Sequence, residues 1–123
     1  IRRRYRSHLQ SFRMLTCRGT TTFKPSDRRW SIAALAIDRR GRVLFLFAEA
    51  AFSMWEFSQN LRRLPLGVVR AMYLEGSSDA QFYAQAGKVE LSLVGRCSRL
   101  FGCSSGDVSA SAIPNVLGLV RRR

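Results

Sequence analysis

The sequence predicts an α+β fold, a mixed β-sheet with hairpins covered by one principal helix over about residues 53–64. Three observations carry that expectation. Two apolar, strand-forming runs, residues 31–37 and 43–47, flank a turn containing Gly41 and read as a β-hairpin. Ser53-Met54-Trp55-Glu56 is a capping box, and apolar residues follow it at helical spacing. Shorter apolar runs then alternate with turns rich in Gly, Ser and Asp.

The first 28 residues show no sustained period and read as an irregular leading segment, with a short strand at Phe12–Leu15. In the hairpin, Asp38-Arg39-Arg40-Gly41 supplies the turn, because Gly41 is free to take positive φ. Val43–Phe47 is apolar without alternation, which implies burial on both faces and an element laid over the sheet. The helix meets that need: Met54, Phe57, Leu61 and Leu64 form one apolar stripe, and Pro65 and Gly67 end it. Strands are expected at Val69–Leu74, Ala80–Tyr83 and Val89–Val94, the last two joined by a turn at Ala86-Gly87-Lys88. This gives the order β-β-α-β-β-β. Residues 95–111 read as a loop, and Val116–Val120 as a final strand entered through Pro114 and Asn115. Trp55, Phe45 and Phe47 read as core.

Composition bounds the function. With 46% hydrophobic residues the chain can bury a core, which argues against global disorder. A length of 123 residues suits a single domain. The net charge of +13 would attract polyanions, whether nucleic acid, anionic surfaces or phosphorylated sugars. Much of it lies in two terminal arginine clusters, Arg2, Arg3, Arg4 and Arg6, and Arg121, Arg122 and Arg123. Cys97 and Cys103 flank a loop and either pair in an oxidising compartment or remain thiols in a reducing one. Their spacing fits no zinc signature, and His8 is the one histidine. No cofactor signature is evident, and a divalent metal is left open. No signal peptide is visible in these residues and no run is long enough to span a bilayer, so the compartment is not indicated.

Three constellations could carry chemistry. Tyr73-Leu74-Glu75-Gly76-Ser77-Ser78-Asp79 places a carboxylate at a strand end, followed by Gly and small hydroxyl residues. A strand fixes the acid, Gly76 lets the chain turn and a ligand approach, and the pair Glu75 and Asp79 suits glycoside cleavage. The same stretch also reads as a polar turn with solvated acids. Asn115, after Pro114, either orients a ligand or satisfies its own turn. Arg28, Arg29 and Arg70 offer guanidinium forks for phosphate or are surface charge.

The order of these segments resembles the bacterial branch of the phosphodiester glycosidase family, in its C-terminal part. The resemblance rests on residues 17–20, Lys24-Pro25-Ser26-Asp27 and the hairpin, then Leu64-Pro65-Leu66-Gly67, Leu74-Glu75-Gly76 and Ile113-Pro114-Asn115-Val116, and it spans roughly residues 10–121. Family members usually carry Leu-Asp-Gly-Gly or Leu-Glu-Gly-Gly at the strand end; here Ser77 replaces the second glycine. If that glycine takes positive φ, Ser77 is strained there. The family's arginine ahead of the first hairpin strand is replaced by Ile32-Ala33-Ala34, with Arg29 nearby, and its acid after the second strand has Glu49 as a rough counterpart.

The resemblance implies hydrolysis of a sugar-1-phosphodiester, as in release of N-acetylglucosamine. Glu75 and Asn115 would be the catalytic pair, and Gly76, Ser77, Asp79, Arg29 and Arg70 the substrate contacts. It also implies a periplasmic or extracytoplasmic setting. Nothing here corresponds to the family's N-terminal half with its Asn-Ala-Gly motif, so residues 1–123 are expected to be one truncated domain, active or vestigial, with a sugar phosphate as its partner. The competing expectation is a basic module for nucleic acid or anionic surfaces, without catalysis and with nonspecific contacts only.

Overall fold

The computed structural model describes residues 8–96, 110, 112–113 and 116–120. Its elements are β1 (Arg13–Leu15), β2 (Trp30–Asp38), β3 (Val43–Phe52), α1 (Met54–Arg63), β4 (Val68–Gly76), β5 (Gln81–Ala86) and β6 (Val89–Val94), with a 3-10 turn over Ser77–Asp79 between β4 and β5. The α+β class holds. The strands form a four-stranded sheet in the order β1-β4-β2-β3 and a separate β5-β6 ribbon. All pairing among the described residues is antiparallel, so the expected mixed sheet is not formed. The reason is the path of the chain. After the β2–β3 hairpin, α1 carries it back across the sheet, and β4 pairs on the free side of β2 rather than beside β3.

The β2–β3 turn is held by one buried carboxylate. Asp38 Oδ1 accepts the backbone N–H groups of Arg40 and Arg42 at 2.9 and 2.8 Å, and Oδ2 accepts the Arg42 guanidinium at 2.6 Å. Gly41 takes φ +76 and donates its N–H to the Asp38 carbonyl. Burial alone would raise the Asp38 pKa, but these hydrogen bonds and the Arg42 charge outweigh it and hold the carboxyl below its ordinary range.

The register sorts the sheet into two faces. Ile32, Ala34 and Ala36 lie opposite Gly76, Tyr73 and Ala71 on one side and Ala48, Leu46 and Leu44 on the other. This face takes the helix: Ile32, Ala34, Ala36 and Ala71 pack with Phe57, Leu61, Met14 and Leu15 in one core cluster. Burying Phe57 and Leu61 contributes roughly 1.5–3 kcal/mol each. The helix starts as its sequence requires. Ser53 Oγ accepts the Glu56 N–H at 3.2 Å, and Glu56 Oε2 accepts the Ser53 N–H at 3.0 Å. Leu64 does not join the apolar stripe. It is the C-cap, with extended backbone ahead of Pro65, and is 49% exposed.

On the opposite face, Ala33, Leu35 and Ile37 lie beside Phe47, Phe45 and Val43. Only part of it is covered: Phe82 of β5 meets Phe47 with ring centroids 6.2 Å apart. The ribbon is tied back at its far end. Buried Ser31 donates from Oγ to the Glu49 carbonyl at 2.6 Å and accepts the Arg96 N–H at 2.7 Å, while its own N–H donates to the Arg96 carbonyl. Residues 116–120 carry no strand; their apolar composition favours one, but nothing pairs with them among the described residues. No helix of the described residues is long and apolar enough to cross a membrane.

Candidate functional site

The acid-bearing turn forms at the end of β4. Register places Tyr73 opposite Ala34 and Glu75 opposite Ala33, so Leu74 is an inserted bulge residue. Without that insertion Tyr73 and Glu75 would share a face; with it, Tyr73 lies on the helix side and Glu75 on the open side. Glu75 is exposed and rigidly based on a paired strand.

Gly76 is buried, with φ −140, a conformation open to any residue. Its need for glycine is space. A Cβ there would collide with the Trp30 indole and the Tyr73 hydroxyl. The room that the sequence assigns to a ligand is thus taken by the protein's own rings. The sharp turn is made one residue later, where Ser77 adopts φ +58. Ser77 therefore occupies the left-handed position expected of the family's second glycine. The 3-10 turn closes with the Ala80 N–H donating to the Ser77 carbonyl at 3.2 Å. Gly95 backs it, donating to the Ala80 carbonyl at 2.7 Å, and a Cβ on Gly95 would strike the Ser77 oxygen.

Charge converges on Tyr73. Burial raises its pKa, the neighbouring Glu75 and Asp79 charges raise it further, and the Trp30 N–H partly opposes them. Burial and these charges together favour the protonated phenol. The Trp30 Nε1–H itself is buried and makes no hydrogen bond of proper geometry among the described residues, although it lies close enough to Tyr73 to be felt.

Of the residues singled out in the sequence, Glu75, Gly76, Ser77 and Asp79 come together at this turn. Arg29 does not join them: it pairs with Glu56 at 2.5 Å, bracing the helix cap, and with Ser53 it holds the Glu56 carboxyl below its ordinary pKa. Arg70 lies opposite Ile37 and Glu75 opposite Ala33, four rungs or about 13 Å apart along the ladder. Glu49 pairs with Arg96 at 3.4 Å. Asn115, Pro114, Cys97, Cys103 and both terminal arginine clusters lie outside the described residues. Cys17 is an exposed free thiol. Among the described residues, no group of three or more His, Cys, Asp or Glu side chains could hold a metal ion.

Several residues at this site carry no local signal. Trp30 and Tyr73 are 43 positions apart and meet only because β2 and β4 are neighbours. Beside them opens a cleft of about 290 Å³, walled by Phe12, Phe23, Trp30 and Tyr73, with Lys24 and Arg28 at its polar edge. The aromatics could have been noticed in sequence, but their convergence depends on β1 pairing with β4, where the Tyr73 N–H donates to the Phe12 carbonyl at 2.9 Å.

The sequence model of one family, described as phosphodiester glycosidase, matches residues 2–120. No curated protein and no solved structure matches the chain.

Proposed function

The chain belongs to the phosphodiester glycosidase family, and from that premise we propose that it hydrolyses a sugar-1-phosphodiester at the anomeric bond, with Glu75 as the carboxylate at the reacting centre. The observation that supports this reading is the turn itself: an exposed acid on a paired strand, a glycine with no room for a side chain, and Ser77 at positive φ.

The chemistry makes modest demands. A phosphate monoester leaves readily with the bonding electrons of the anomeric C–O bond, so the leaving group needs little general-acid help. Water supplies the oxygen that replaces it. Glu75 either accepts the proton of that water or offsets oxocarbenium charge on the sugar. Asp79 and the Ser77 hydroxyl orient sugar hydroxyls. Asn115 completes the set as an orienting group on the family resemblance. Arg29 and Arg70 are left out, the first being engaged by Glu56 and the second lying far down the strand.

The test is release of N-acetylglucosamine from UDP-N-acetylglucosamine by this chain and by Glu75→Gln, each checked for a cooperative melt. Release that falls by about a hundredfold or more in the variant supports the assignment. No release from a cooperatively melting chain means a vestigial domain, and equal release from both proteins removes Glu75 from the mechanism.

A further inference from the structure

The cleft beside the acidic turn has a chemistry of its own. Four aromatic residues line it, Phe12, Phe23, Trp30 and Tyr73. Phe12 is 72% exposed, although its carbonyl is tied to Tyr73 and its ring borders the cleft. A phenylalanine held by its backbone with its ring in water presents a flat apolar face. Phe23, Trp30 and Tyr73 line the remainder and are packed from behind by the core, so they are fixed in place. Lys24 and Arg28 are exposed at the same opening, and neither has an ion-pair partner among the described residues.

Flat rings and two cations without ion-pair partners describe the ligand that would satisfy them: a planar ring system carrying a phosphate. We propose that this cleft binds a nucleoside monophosphate, the base stacked on the aromatic wall and the phosphate held by Lys24 and Arg28. At about 290 Å³ the cleft sits at the small end of ligand pockets, roughly 300 Å³, which suits one nucleotide and not an oligomer. The cleft lies on the helix side of the sheet with Tyr73, whereas Glu75 emerges on the open side, so the binding stands on the cleft alone and does not rest on the glycosidase reading above.

Calorimetric titration of the full chain at about 0.15 M salt, where long-range attraction by surface charge is largely screened, separates the possibilities. The probes are UMP, AMP and ribose 5-phosphate, and the variants are Phe12→Ala, the double Lys24→Gln/Arg28→Gln, and Arg70→Gln as a charge control remote from the cleft. The nucleotides should bind. Phe12→Ala and the double variant should each weaken them about tenfold, ribose 5-phosphate should bind at least tenfold more weakly, and Arg70→Gln should change nothing. Phe12 is exposed and its substitution leaves the core intact, so loss of folding does not confuse the result. The proposal is overturned if neither nucleotide binds, if ribose 5-phosphate binds as well as they do, or if Arg70→Gln weakens binding as much as the cleft variants. Nucleotide binding without sugar release would retain this site and reject the hydrolytic reading; sugar release without nucleotide binding would do the reverse.

Discussion

Ser77 carries a side chain at φ +58, and replacing it with glycine should stabilise the protein. An L-residue in the left-handed region costs roughly 1–2 kcal/mol relative to the right-handed one. Glycine removes that cost but adds freedom to the unfolded chain, returning about 0.4–1 kcal/mol. The balance favours Ser77→Gly by about 0.5–1 kcal/mol. With about 2.1 cal/mol/K of unfolding entropy per residue, a 123-residue chain changes stability by roughly 0.26 kcal/mol per degree near its midpoint. The expected rise in Tm is therefore about 2–4 °C. Thermal unfolding followed by circular dichroism, with urea titration as a second measure, would read it. Ser77→Ala is the control, since it keeps the Cβ and loses only the hydroxyl. It should melt within about 2 °C of the parent. A glycine variant that melts below both would refute the argument, because the strain assigned to Ser77 would then be outweighed by contacts of its side chain.

Two further expectations concern the same framework. Gly76→Ala forces a methyl into the Trp30 ring and the Tyr73 hydroxyl, and such overpacking should cost about 1–3 kcal/mol; a urea midpoint equal to the parent's would show that Trp30 can move aside freely. Acid should destabilise the fold through Asp38 and Glu56, whose folded pKa values lie below the ordinary 3.8 and 4.5. The unfolded chain takes up these protons first, so stability is complete above the ordinary values and is lost as pH falls through the lowered ones. Urea midpoints should drop below about pH 5, and Asp38→Asn should make that slope shallower; identical slopes for parent and variant would count against the role given to Asp38.

The hairpin, the capped helix and the β5–β6 turn were legible because each is encoded within a dozen residues by period, cap or glycine. The face on which Glu75 emerges was not, since it depends on the single inserted residue Leu74, and an apolar bulge residue looks like any other strand residue. Arg29 was assigned to phosphate because its partner Glu56 is 27 positions away, on a helix that the sequence orients only about its own axis. The aromatic cleft was invisible for a similar reason, as it gathers side chains from the residue before β1, the loop after it, β2, the start of α1 and β4. Ser77 stands between these cases. Its backbone conformation followed from comparison with a glycine-bearing motif, whereas serine alone gives no sign of it.

The floor beneath the helix is built from alanines: Ala34, Ala36 and Ala71 lie under Phe57 and Leu61. Side chains this small set the distance between helix and sheet, and in a close-packed interior that distance cannot relax around one enlarged residue. For a drifting gene such a floor works as a ratchet. Each of the three positions can accept little besides glycine or serine unless several contacts across the layer change together. Neutral change is then channelled to the outward face of β2, to the β5–β6 ribbon and to the exposed arginines, so lineages descended from this chain should diverge mostly in the surfaces they present and least in the spacing of helix and sheet.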